Sequence, residues 1–241
     1  MDKLIFTAVS GAERLLRSQQ VHANNLANLD TAGFRASMEV AGNKELGGFG
    51  FDDRHLSTMQ SDTVSTRAGT VRETGRPLDV AIGGKGYLAV QYGDGEAYTR
   101  SGEIEIDANG ALSVRGRPLL GEGGPITLPP HTAVEIGTDG TISVLTEGAA
   151  QMQVVDKLRL VNAEGAELTK NEAGLIVSRD GAPLPADAAV KVSPRSLEGS
   201  NVSAVEEMVA TMSLNRSFEI QMRLFKASDS MNEAGNRLIG A

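Results

Sequence analysis

Residues 21–35, VHANNLANLDTAGFR, set the terms on which the rest of the chain is read. They close a run whose apolar positions keep helical spacing. Yet they carry Asn24, Asn25 and Asn28, and asparagine is a mediocre helix former that favours caps and turns. A helix continued at about 100° per residue places the three amides within a ~100° sector, opposite Ala23, Leu26 and Ala27. A face made polar by amides suits a surface that another chain covers, because an amide donates and accepts hydrogen bonds without the desolvation cost of an ion. A helix fraying into a turn accounts for the same residues, and the segment alone does not choose between the two.

Upstream of it, Ile5, Ala8, Ala12, Leu15, Gln19, His22, Leu26 and Leu29 alternate in steps of three and four. That is heptad spacing, and it predicts a helix from residue 3 to about 29. Downstream, all eight prolines fall between Pro77 and Pro194, and 24 of the 28 glycines lie within residues 36–202. Long uninterrupted helices are therefore permitted only at the two ends. The second opens on a capping box, Ser203 with Glu206. Val202, Val205, Val209 and Met212 then keep one rhythm. Ile220, Leu224, Ala227, Met231, Ala234 and Leu238 keep another, about 80° out of phase, and Phe218, Met222 and Phe225 add a further stripe.

Helices roughly 40 and 55 Å long outrun a compact domain of this size. Pairing them side by side still leaves Val9, Leu16, Phe218, Met222 and Phe225 with open apolar area, which further copies or other chains are expected to cover. An internal helical hairpin packed on the central region is the competing reading.

Between Pro77 and Gly116 the pattern is β: short alternating or apolar runs punctuated by GGKG, GDGE and DANG. Further strands are expected at 133–136, 141–145, 154–161, 175–178 and 190–193, with tight turns at Asp139-Gly140 and Glu164-Gly165. Residues 36–76, rich in Gly, Ser, Thr and Asp with scattered Phe49, Phe51 and Met59, read as an extended arm. The fold class is thus α+β: long N- and C-terminal helices pairing in coiled-coil fashion, with a central all-β domain, an antiparallel barrel or sandwich. The expected divisions are 1–35 for the N-terminal helix, 36–76 for the arm, 77–198 for the β domain and 199–241 for the C-terminal helix.

Composition narrows the function. A net charge of −8 with no basic block argues against nucleic acid or an anionic membrane as the main partner. With no cysteine there are no disulfides, thiol nucleophiles or thiolate metal sites. His22, His55 and His131 lie in three separate regions and form no zinc-binding pair. Gly84-Lys85-Gly86 lacks the Walker spacing. Asp94 with Glu96 and Asp107 with Asn109 complete no calcium loop, and no G-x-S-x-G is present. No catalytic residue, metal or cofactor is expected, and the chain does not read as an enzyme. The apolar run after Lys3 meets Glu13 and Arg14 before it is long enough for a signal peptide, and no stretch reaches ~20 apolar residues.

Three ordered blocks then carry a resemblance. The first is Ala23 to Asn28 with Thr31, Gly33, Phe34 and Arg35. The second runs from Arg76-Pro77-Leu78-Asp79-Val80-Ala81-Ile82 through Gly86 to Tyr98-Thr99-Arg100, Gly102, Asp107 and Gly110. The third is Leu197 to Val202 with Glu207-Met208 and Phe218-Glu219. Together they resemble the bacterial flagellar axial proteins, the rod and hook family of the basal body, over the whole chain. The length, Met1-Asp2 and Gly121 to Ile126 are most similar to proximal rod members, with distal rod members the nearest rival.

The resemblance implies a structural subunit whose terminal helices form the inner tube of a hollow, torque-transmitting shaft. Its partners are other copies of itself and neighbouring rod proteins. It also implies export through the flagellar type III apparatus, without a cleaved signal, to a periplasmic rod. The interface residues expected on this reading are Ile5, Ala8, Ala12, Leu15, Asn24, Asn25, Leu26, Asn28 and Phe34 at one end. At the other they are Val205, Met208, Met212, Phe218, Ile220, Met222, Leu224, Phe225, Met231 and Leu238. A secreted oligomeric binding or adhesion module is the reading from a different class. Against it, the middle of the chain offers no Trp and only Tyr87, Tyr92 and Tyr98 for a pocket.

Overall fold

Two long helices bracket the chain: α1, Asp2–Ala27, and α2, Ala204–Ile239. The computed structural model describes the backbone of residues 2–45, 55–162, 168–171 and 173–239, and side chains at 8–40, 42, 63–162, 168–171, 173–235 and 237. Contacts divide it into two units. One comprises Met1–Ala27, Ser37–Asp62 and Ser203–Ala241, the other Asn28–Ala36 and Thr63–Val202.

In the helical unit, α2 starts where the capping box places it. The Ser203 hydroxyl accepts the Glu206 amide at 3.4 Å and the Ser203 carbonyl accepts that of Glu207 at 3.0 Å. Glu206 and Glu207 also put negative charge at the positive end of the helix. α1 stops at Ala27, two residues short of the expected end, because Asn28–Asp30 turn away. The expected extended arm contains a β-hairpin instead, Ser37–Glu45 paired with His55–Val64. Its polar, weakly alternating sequence hid the pairing. Phe49 and Phe51 lie outside the described residues. No helix among the described residues is long and apolar enough to cross a membrane.

The β unit is built from short antiparallel strands. Its largest sheet has the order Leu160–Asn162, Gly86–Tyr92, Gly95–Thr99, Ile176–Ser178, Leu168–Lys170. Strand Gly86–Tyr92 shows why the sequence folds this way. Its period of two sends Leu88 and Val90 into one apolar core with Val80, Ile104, Leu112, Leu119 and Ile142, and Tyr87 and Ala89 into a second with Tyr98, Val161 and Leu168.

Ala133–Ile136 and Thr141–Leu145 pair as expected, while the run 154–161 divides into strands Gln153–Lys157 and Leu160–Asn162 that belong to different sheets. The turn expected at Glu164-Gly165 lies outside the described residues. Of the barrel or sandwich expectation, the closed barrel does not hold: the described strands form small open sheets. Strands of two to seven residues, interrupted by turns and by the register shift at Ile142/Ser143, do not sustain the continuous stagger that closes a barrel.

Candidate subunit interface

α1 and α2 run antiparallel: Ala8 meets Gln221, Gln19 meets Asn215, and both His22 and Asn25 meet Glu207. The seam is polar. Gln221 Nε2 donates to the Ala8 carbonyl at 3.0 Å and Gln19 Nε2 to Asn215 Oδ1 at 2.9 Å, and His22 Nδ1 lies 2.5 Å from Glu207 Oε2. Gly11 lets this happen: a Cβ there would sit 2.7 Å from Gln221 Nε2.

Of the expected N-terminal interface residues, Ala8 is buried in this seam, and Ala12, Leu15 and Leu26 are half-buried. The side chains of Ile5 and Leu238 lie outside the described residues. Along α2, Phe218 is half-buried, but Val205, Met208, Val209, Met212, Ile220, Met222, Leu224, Phe225 and Met231 are all exposed, Met212 to 71%. Val9 and Leu16 on α1 are exposed as well. Both phases of the α2 pattern, and the added stripe of Met222 and Phe225, therefore point away from α1.

The three asparagines do not form one open face, because the helix ends before Asn28. Asn24 is exposed on α1, and Asn28 sits in the following turn, where its carbonyl accepts the Thr31 amide at 3.2 Å. Asn25 is 2% exposed. Its Oδ1 accepts the Ser37 amide at 2.9 Å, while its Nδ2 lies 3.1 Å from both the Ser37 carbonyl and Glu207 Oε1. Asn25, expected at the subunit interface, makes these bonds within the chain: it ties the first strand of the hairpin and the first turn of α2 to α1.

Phe34, the last expected N-terminal interface residue, is buried in the β unit. The Lys170 ammonium lies 3.8 Å from its ring centroid and donates to the Arg35 carbonyl at 2.6 Å. Burial pulls the Lys170 pKa down to about 8.

Beside it is a charge cluster that the sequence reading did not assign. Arg35 Nη2 lies 2.8 Å from Glu198 Oε1, and Arg100 reaches Glu198 Oε2 through Nη2 at 2.6 Å and Nε at 2.9 Å. All three residues are at most 4% exposed. Arg100 also donates to the carbonyls of Ile82, Gly84 and Gly86, and the Gly69 amide caps Glu198 Oε1 at 2.8 Å. Asn201 completes the clasp, accepting the Ala36 amide and donating to the Arg67 carbonyl, both at 2.7 Å. Gly33 permits the close approach: its φ is +67°, and a Cβ would stand 2.2 Å from the Arg100 backbone. The available signal was that each of the three motif blocks carries one of these charges. Among the described residues, no group of three or more His, Asp or Glu converges as a metal site.

Three family models match the chain in order. They are a flagella basal body rod protein model over residues 5–35, a flagellar hook protein FlgE/F/G D1 domain over 81–144, and a flagellar basal body rod FlgEFG protein C-terminal model over 193–238. The flagellar basal-body rod protein FlgF of Salmonella typhimurium is 39% identical, with 99% of each chain covered, and that of Escherichia coli K12 is 38% identical over the same share. A flagellar basal-body rod protein FlgG, from Buchnera aphidicola of Schizaphis graminum, is 31% identical over 94% of this chain and 96% of its own. The chain belongs to the flagellar basal-body rod proteins. The rod-family matches meet in the clasp: the first ends on Arg35, the second spans Arg100 and the third contains Glu198 and Asn201.

Proposed function

We propose that this rod protein is a structural subunit of the flagellar basal-body rod, and that it polymerises through its terminal helices into the hollow shaft. Its role is mechanical and not catalytic. The observation that carries the assembly step is the set of nine large apolar side chains exposed among the described residues of α2 in the presence of α1. Burying such a side chain fully contributes about 1.5–3 kcal/mol, so covering half of this set yields on the order of 10 kcal/mol before the cost of association.

Neighbouring copies and other rod subunits are the partners that would supply the cover, with the helices packing in coiled-coil fashion across subunits. A contact of this kind that does not close on itself generates a helical array. Export in an unfolded state through the type III apparatus, to a periplasmic rod, completes the reading; the family membership supports it.

Leu224→Asp tests the interface. Leu224 is 54% exposed, so the variant subunit is expected to fold with a stability change within about 0.5 kcal/mol. A charge placed in a buried seam costs several kcal/mol, so cells carrying the variant are expected to lack rods and motility. Swimming cells with normal rods would refute the assignment of this face.

A further inference from the structure

The clasp borders a small cavity of about 20 Å³, lined by Phe34, Arg35, Thr99, Arg100, Arg115 and Lys170 among others. That is room for one occupant of the size of a water molecule or a halide ion. No carboxylate is among the described lining residues. Arg35 and Arg100 share a single carboxylate, Glu198, which leaves these three groups with a net positive charge.

Arg35 also has an unsatisfied donor. Its Nη1 donates to the carbonyls of Thr66 and Arg67 and its Nη2 pairs with Glu198, but its buried Nε–H reaches no acceptor among the described residues. Buried donors are almost always satisfied, and charged ones carry the largest penalty when they are not.

We propose that this cavity is a binding site for a small monovalent inorganic anion of chloride's size, held by Arg35 Nε and by the field of Arg100, Arg115 and Lys170. Two facts separate an anion from a simple buried water. Water satisfies the donor but leaves the charge imbalance, whereas a halide answers both. And burial together with repulsion from Arg100 pulls the Arg35 guanidinium below its usual value in spite of Glu198, the strain an anion relieves.

The test compares melting of the full chain in sodium bromide, sodium chloride and sodium gluconate at one ionic strength, and anomalous scattering from bromide-soaked crystals. The expected result is a saturable rise in Tm with either halide over gluconate, and a bromide peak within hydrogen-bond reach of Arg35 Nε. Arg115→Gly is the companion variant. Arg115 sits at φ 53°, which glycine adopts without strain, so the fold is kept while one cation is lost, and the halide response is expected to weaken several-fold. Equal melting in all three salts, or a peakless cavity holding water, would overturn the proposal. So would a full halide response in both Arg115→Gly and Lys170→Met, which would place the ion elsewhere.

Discussion

Glu198 joins three separate segments of the β unit. Its carboxylate answers two buried guanidiniums and the Gly69 amide. Glu198→Gln keeps the shape but leaves both arginines facing a neutral amide. Removing one partner of a buried ionic cluster costs about 3–5 kcal/mol. Urea unfolding at pH 7 is expected to show a loss of that order, and a loss below about 1 kcal/mol would mean the cluster is solvated.

Lys170 gives a second measurement. Its pKa is about 8 when folded against an ordinary 10.5, so between these values the unfolded chain holds a proton that the folded one has released. Stability must then rise with pH across that window, and below about 8, where both states are protonated, the cost of burying the charge is present in full. Tyr87 and Tyr98, whose pKa values are raised by burial, oppose the rise above pH 10. The difference between the wild-type chain and Lys170→Met from pH 7 to 10 isolates the lysine. A flat difference would show that the ammonium reaches water. These pairings were not legible in the sequence beyond the placing of one charge in each motif block, because Arg35, Arg100 and Glu198 are far apart in the chain and a charge does not announce its partner.

At the scale of elements, local signals read well where the chain itself holds all the information. The Ser203 cap is such a case. Ser203→Ala removes the acceptor for the Glu206 amide, and losing an N-cap costs about 1 kcal/mol. Hydrogen exchange is expected to speed up in the first turn of α2, at Glu206 and Glu207, with the β unit unchanged; unaltered exchange there would mean tertiary packing, not the cap, fixes the helix start. Strands with clear turns, such as Thr141–Leu145, were equally legible. The hairpin at 37–64 was not, since its strands carry few apolar residues and its stability comes from pairing and from anchors on α1, Asn25 among them. Nor was the division of residues 153–162 into strands of two sheets, which depends on which neighbour each half finds.

At the scale of the whole molecule, the unit that should stand alone is not the stretch that looks β. A fragment of residues 77–198 omits Gly33, Arg35, Gly69, the strand Val71–Glu73 and Asn201, and so breaks the clasp. A fragment of residues 28–202 keeps all of them. The longer fragment is expected to melt within a few degrees of the β signal of the full chain, and the shorter one to lose about 3–5 kcal/mol. Equal stability of the two would show that the β core does not need the clasp.

The sequence by itself determined that the ends are helical, that the middle is β, and which family the chain resembles. Periodicity, capping and turn chemistry act over a few residues, so they can be read without knowing what lies opposite. Only the tertiary structure decided that Gln19, His22, Asn25 and Gln221 bond across the seam between α1 and α2 while the apolar stripes of α2 stay open. It alone decided, too, that one charge from each motif block meets in a single buried cluster. Which face a helix buries, and which charges become partners, is settled by groups remote along the chain, and no local pattern encodes the encounter.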